Sequence, residues 1–238
     1  MKSNSLSNIT NLIFKTIIYN LRIIFANKFI WFLAGSVIFY LGLAVIYVIS
    51  NDVSKMDDLY EVLLFSGILL VFYPSVFGIQ NDQDARTIEI LFGIPNYRYK
   101  VWLVRIFLIF IVTFLIMLVF ALLASVLIVR FRVVNMTGQL MFPILFLGLM
   151  AFMLSTVVRN GNGTAVLMII FGLIFMILAD SLRKSQWNIF LNPYSLPWDV
   201  NETTWAIIAF KNRIILSIGS VIFLLIALFN LQKREKFM

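Results

Sequence analysis

Long stretches without a charged residue dominate the pattern of hydrophobic and polar positions. Each stretch has about the 20 residues that a helix needs to cross a bilayer core. Charges or clusters of Pro and Asn separate one stretch from the next. The pattern predicts six transmembrane helices, at Phe29–Asn51, Val62–Asn81, Ile106–Val129, Val133–Val158, Asn160–Ala179 and Ile214–Gln232.

The composition agrees with an all-α integral membrane protein. Of the 238 residues, 62% are hydrophobic and only 13% are charged, against about 25% charged in an ordinary soluble domain. Such a chain cannot cover a water-exposed surface with polar groups, and we expect one transmembrane domain over residues 1–238. With no Cys and no His, the chain cannot use thiol chemistry, an imidazole proton shuttle or the usual zinc ligands.

The segments around the bundle have their own polar patterns. In residues 1–28, Asn11, Lys15 and Arg22 fall near one helical face, which predicts an amphipathic helix at the cytoplasmic interface that contacts membrane lipid. A frayed tail is the alternative. Residues 29–232 form the predicted bundle and residues 233–238 a tail. The long connection from Asp180 to Arg213 has the Pro and Trp residues of a broken interfacial segment.

Basic residues predict the orientation. With both termini in the cytoplasm, 12 of the 19 Lys and Arg residues lie inside and 7 outside. This bias follows the positive-inside rule. The formal charge of +8 therefore reports topology, and we expect no nucleic-acid partner.

Two absences bear on the energy source. No run fits the GxxxxGK[ST] phosphate loop, because no Gly is followed by Lys. None of the six predicted crossings contains Asp, Glu, Lys or Arg, although ion-coupled carriers commonly place such groups inside the bundle. The pattern favours a subunit that receives energy from a partner.

Small residues allow two membrane helices to approach each other closely. The glycines predicted to do so lie inside or beside the crossings and are Gly78, Gly148, Gly172 and Gly219.

The stretch NDQDARTIEILFGIPNYRYK, residues 81–100, interrupts the apolar pattern. Wound as a helix, it carries a charged stripe beside an apolar face, and Asp82 can pair with Arg86 at i,i+4. Acidic residues are favourable at the start of such a helix, where the helix dipole is positive. Pro95 disfavours helical geometry at the preceding residue and so marks its end. It is predicted to be a short amphipathic cytoplasmic helix that rests on the membrane or fills a groove of a soluble partner. The residues concerned are Asp82, Asp84, Arg86, Ile88, Glu89, Leu91 and Phe92.

Within that stretch, D-x-D-A-R-T-I-E-I-L-F-G-I-P-N-Y-R resembles the cytoplasmic loop of ABC-2 type transporter permeases. It departs from their pattern at Arg86, where a Gly usually precedes the Thr. The resemblance implies a bacterial cytoplasmic-membrane exporter subunit that pairs with a second permease and binds two separate ATPase subunits, which use ATP and magnesium. The stretch would be the coupling helix. Asp82, Asp84, Arg86 and Glu89 would be its polar contacts with the ATPase, and Ile88, Leu91 and Phe92 its apolar inserts.

Other functions remain open from the residues alone. A membrane anchor that recruits a soluble protein through the same stretch would need no solute movement. A channel subunit is disfavoured by the uncharged crossings. An enzyme is disfavoured because acidic residues such as Asp58, Glu61 and Asp180 are scattered and form no recognisable pair. We expect no catalytic residue, metal or cofactor in this chain.

Overall fold

The computed structural model describes residues 29–49, 56–84 and 98–232, with the side chains of residues 29–46, 56–84 and 101–232. This part of the chain is helical and contains no strand. A π-helical turn at Arg98–Leu103 runs directly into the third α-helix. The α-helices are α1 Phe29–Ile49, α2 Met56–Asp84, α3 Val104–Leu127, α4 Val133–Val158, α5 Gly161–Ile177 and α6 Glu202–Asn230.

Five of these helices are long and apolar enough to cross a membrane. The predicted all-α, multi-pass membrane fold is therefore confirmed. Helix α5 has 17 residues, at the lower limit of the roughly 17–25 residues found in membrane-spanning helices. The count of six crossings stays a prediction.

The helix bounds differ from the charge-free stretches in an informative way. Helix α4 has the predicted bounds, Val133–Val158. Helices α2 and α6 begin earlier, and α6 starts at Glu202 rather than at Ile214. A charge-free stretch reports the part of a helix that lies in hydrocarbon, whereas helical hydrogen bonds continue through the headgroup region. Asp57 and Asp58 in the first turn of α2 also suit the positive end of the helix dipole.

Helices α2 and α4 form the centre of the bundle. Helix α2 packs against α1, α3, α4 and α5, and α4 packs most extensively against α6 and α2. The core between them includes Tyr60 and Leu63 of α2, Met117 of α3 and Ile144 of α4, all fully buried. Many outward-facing side chains of the other helices are apolar and exposed, as expected for helices that face lipid.

Glycine allows close helix packing at two of the four predicted positions. A Cβ atom added to Gly148 would lie 2.8 Å from a valine methyl of α2, and one on Gly219 would lie 2.6 Å from the Phe146 ring. A side chain at either position would force these neighbouring side chains to shift. The prediction is wrong at Gly78 and Gly172, where an added Cβ would meet nothing within 4 Å among the residues described.

The connection between α5 and α6 is a series of turns folded against the helix ends. Ile189 and Leu191 are buried. The Asn192 side-chain amide donates to the Asp57 carbonyl at 2.8 Å, and the Trp205 indole N–H donates to the Pro193 carbonyl at 3.1 Å. The connection is broken as predicted, but it ends at residue 201, because residues 202–213 belong to α6.

Candidate functional site

Two clusters of buried polar side chains lie near opposite ends of α2. Tyr60 marks one end and Asp82 the other, 22 residues later in the same helix. At 1.5 Å per residue the two are about 33 Å apart, close to the ~30 Å thickness of the bilayer core.

The first cluster is a buried ion pair. The Arg105 guanidinium donates through Nη1 to Oδ2 of Asp82, and the two residues are only 5% and 3% exposed. The guanidinium carbon also lies 5.1 Å from the centre of the Trp102 ring, within the range of a cation–π contact. Asp82 is in the last turn of α2 and Arg105 in the first turn of α3, so the pair joins the two helix ends that flank residues 85–97.

A small cavity with a few polar groups in its wall adjoins this pair. It has a volume of about 30 Å³ and is lined by Asn81, Asp82, Trp102 and Arg105, among others. The Trp102 indole N–H and the Arg105 Nε–H have no acceptor among the residues described. The volume suits a single water molecule, whose oxygen could accept from both donors.

The structure corrects the predicted place of Asp82. Asp82 and Asp84 do not start a separate short helix, because both belong to α2, which begins at Met56. Asp82 is buried against Arg105, so its carboxylate is not a surface contact for a partner, whereas Asp84 is exposed. The remaining predicted residues lie outside the described part of the chain: Arg86, Ile88, Glu89, Leu91 and Phe92, and in the N-terminal segment Asn11, Lys15 and Arg22.

The second cluster surrounds Arg213 of α6, which is 6% exposed. Its Nε donates to the Gln139 side-chain oxygen and its Nη1 to the Asn212 side-chain oxygen, both at 2.9 Å. Its Nη2 donates to the Tyr60 hydroxyl at 3.1 Å and to the Leu191 carbonyl at 3.3 Å. One guanidinium thus connects α2, α4, α6 and the turn-rich connection.

All four of these acceptors are neutral. Arg105 pairs with Asp82 and Lys184 with Asp199, whereas Arg213 forms no ion pair with a carboxylate in the described part of the chain. The positive charge of Arg213 is thus hydrogen-bonded without a carboxylate partner, a costly arrangement for a buried ion. This charge acts on Tyr194 of the connection. Burial raises the pKa of the Tyr194 phenol above its ordinary value, and the positive charge of nearby Arg213 partly offsets that rise.

Sequence reasoning assigned both arginines to loops and missed their burial. Asp82, Arg105 and Arg213 lie just beyond the ends of the charge-free stretches and are nevertheless buried in the bundle. One signal was present in the sequence, since Ile106 and Ile214 begin charge-free stretches directly after the two arginines. An arginine at such an edge can extend into the headgroups or turn into the bundle, and only the neighbouring helices decide which.

Comparison with protein-family models, with curated proteins and with solved structures gives no match to this chain. In the described ranges, no group of three or more Asp, Glu, His or Cys side chains is placed to hold a metal ion. The two polar clusters and the helix ends that they join are the features of this chain that bear on its function.

Proposed function

We propose that this chain is the permease subunit of an ATP-binding cassette transporter of the ABC-2 type, most simply an exporter. Separate ATPase subunits would dock on the segment between α2 and α3. The multi-pass helical bundle and the sequence of residues 82–98 support this proposal. The subunit would pair with a second permease in the bacterial cytoplasmic membrane, with both termini in the cytoplasm.

The buried ion pair of Asp82 with Arg105 is the observation that carries the proposal. A docked ATPase can move membrane helices only if the segment that it binds is firmly attached to them, because a flexible connection would absorb the movement. The pair fastens the last turn of α2 to the first turn of α3. Because breaking a buried pair strands a charge, the two helix ends move together rather than apart.

The pair supports the following mechanism. ATP binding closes the ATPase dimer, and the docked segment moves with it. Helices α2 and α3 then tilt as one unit between inward and outward arrangements. Nucleotide biases these arrangements only because the closed ATPase interacts differently with each. Arg86 and Glu89 would make the polar contacts, and Ile88, Leu91 and Phe92 would fill the ATPase groove.

The first test is the side of the membrane on which the segment lies. The chain has no Cys, so a single introduced thiol can be labelled without background. In intact cells, a membrane-impermeant maleimide should leave the Asp84→Cys variant unlabelled and react after the cells are opened. The matched control is Trp198→Cys at the other end of the bundle, which is 96% exposed and should react in intact cells. Labelling of Asp84→Cys from outside would overturn the proposal.

The second test is the coupling itself. We expect the double substitution Glu89→Ala and Leu91→Ala to reduce co-purification of the ATPase about tenfold and to abolish transport, while membrane insertion is unchanged. Losing one apolar insert and one charged contact is enough for about a tenfold change in affinity. Arg130→Ala, at an exposed residue between α3 and α4, is the control. Normal ATPase association together with normal transport would exclude this segment as the coupling element.

A further inference from the structure

A cavity of about 670 Å³ opens along α6 beside the Arg213 cluster. It lies between α4, α6 and the connection that precedes α6. Its volume falls within the roughly 300–1,000 Å³ of small-molecule sites. Its walls combine polar and apolar groups, including Gln139, Phe142, Tyr194, Phe210, Arg213 and Ile214.

The α6 wall of this cavity is one lengthwise stripe. Lining positions 206, 209, 210, 213, 214, 217 and 218 recur every three or four residues, which places them on one helix face. Arg213 stands within the stripe, and Ile214 and Ile218 follow it. The charge-free part of α6 begins at Ile214. The cavity therefore extends from the charged level of Arg213 into the hydrocarbon region.

No carboxylate among the described residues forms an ion pair with Arg213, although Glu61 of α2 is near enough to its partner Tyr60 to act on it electrostatically. The four hydrogen bonds of Arg213 use one hydrogen of Nε, one of Nη1 and two of Nη2. One Nη1 hydrogen is left for a ligand, since a guanidinium has five N–H donors. Glu202 is the acidic residue in the cavity wall. It is exposed and 11 residues earlier in α6, about 16 Å along the helix, which is beyond the screening length of roughly 8 Å.

We infer that this cavity binds an anionic phospholipid, a lipid whose phosphate headgroup carries a net negative charge. The phosphate accepts from Arg213, and the hydrocarbon chain lies along Phe142, Ile214 and Ile218. A phosphate gives Arg213 a negatively charged acceptor, which none of its four hydrogen-bond partners is, and a charge-assisted hydrogen bond is strongest where water is excluded. A lipid fits better than a soluble anion, because the α6 wall beyond Arg213 is mostly apolar, with Ile214 and Ile218 on either side of Ser217. This inference does not depend on the proposed transport function.

The test uses the full-length protein in detergent, titrated with phosphatidylglycerol or with zwitterionic phosphatidylcholine and followed by native mass spectrometry. We expect one phosphatidylglycerol per chain to bind about tenfold more tightly than phosphatidylcholine, the size of effect expected for one charged hydrogen bond. Arg213→Met should remove this preference. Lys211→Met should keep it, because Lys211 is an exposed cation of the same helix that lies outside the cavity wall.

A second pair of variants keeps the test valid if Arg213→Met does not fold. Ala209→Phe places a ring in the cavity one turn before Arg213 and leaves its hydrogen-bonding groups in place. It should reduce phosphatidylglycerol binding about tenfold as well. Ile207→Phe is the matched control, because Ile207 is exposed and does not line the cavity.

Three results would overturn the inference. The first is equal binding of the two lipids by the unaltered protein. The second is a lipid preference that survives Ala209→Phe. The third is displacement of phosphatidylglycerol by inorganic phosphate at a similar concentration, which would identify a soluble-anion site to which the hydrocarbon chain contributes nothing.

Discussion

Arg105 and Arg213 are both buried arginines, yet their surroundings differ. Arg105 faces the carboxylate of Asp82, whereas Arg213 is surrounded by neutral oxygens of two amides, a phenol and a backbone carbonyl. A carboxylate neutralises a buried cation within the protein, while neutral acceptors satisfy its hydrogens and leave its charge. The comparison indicates that Arg105 fastens two helices and that Arg213 can still attract an anion.

The largest effect should come from breaking the neutralised pair on one side. Asp82→Ala leaves Arg105 as a buried charge without its carboxylate, and we expect a loss of about 3–5 kcal/mol in the free energy of unfolding in mixed micelles. Asp84→Ala is the control, because Asp84 is exposed two residues later. It should change stability by less than about 0.5 kcal/mol.

The double variant Asp82→Ala with Arg105→Met sharpens this result. Because no charge is stranded, most of the lost stability should return. If Asp82→Ala alone lowers the free energy of unfolding by less than about 1 kcal/mol, in the range of exposed ion pairs, then the pair does not hold α2 and α3 together.

A smaller effect is expected at Arg213. Arg213→Met removes an unbalanced charge, which favours folding, but leaves the Gln139, Tyr60 and Leu191 oxygens without this donor, which opposes it. We expect a net loss of about 2–3 kcal/mol in the same unfolding measurement. A loss as large as that of Asp82→Ala would show that the presence or absence of a carboxylate partner does not distinguish the stability of the two sites.

The smallest effect should follow from Tyr60→Phe. This substitution removes one of the four acceptors of Arg213 and keeps the buried ring. We expect a loss of about 1–2 kcal/mol, typical of a single hydrogen bond to a charged group. The phosphatidylglycerol preference should remain, because the guanidinium is unchanged. Loss of that preference in a stable Tyr60→Phe protein would mean that Tyr60 itself holds the headgroup.

Helix positions could be predicted where local hydropathy alone sets them. The bounds of α4 followed directly from the charge-free stretch at residues 133–158. At α6 the same reasoning placed the start too late, since residues 202–213 contain charges and yet continue the helix. Local composition shows which residues lie in hydrocarbon. The helix itself can extend into the headgroup region and ends only where other groups or water satisfy its terminal N–H and C=O groups.

The contacts of the candidate sites depend on distant parts of the chain. Asp82 pairs with Arg105, 23 residues along the chain, a partner that the helical periodicity of residues 81–100 does not contain. Its predicted pairing with Arg86 falls on a residue outside the described part of the chain. The Tyr60 hydroxyl meets Arg213 across 153 residues. No local periodicity contains such pairings, because they depend on how α2, α3, α4 and α6 pack.

The sequence by itself determined that this is a helical, multi-pass membrane protein and where most of its helices lie. Both follow from the cost of exposing polar backbone and charged side chains to hydrocarbon, which is set residue by residue along the chain. Only the tertiary structure decided which charges are buried and which of them are neutralised. Those outcomes depend on the groups that neighbouring helices bring within hydrogen-bonding distance, and here they give one arginine a carboxylate and leave the other beside a cavity.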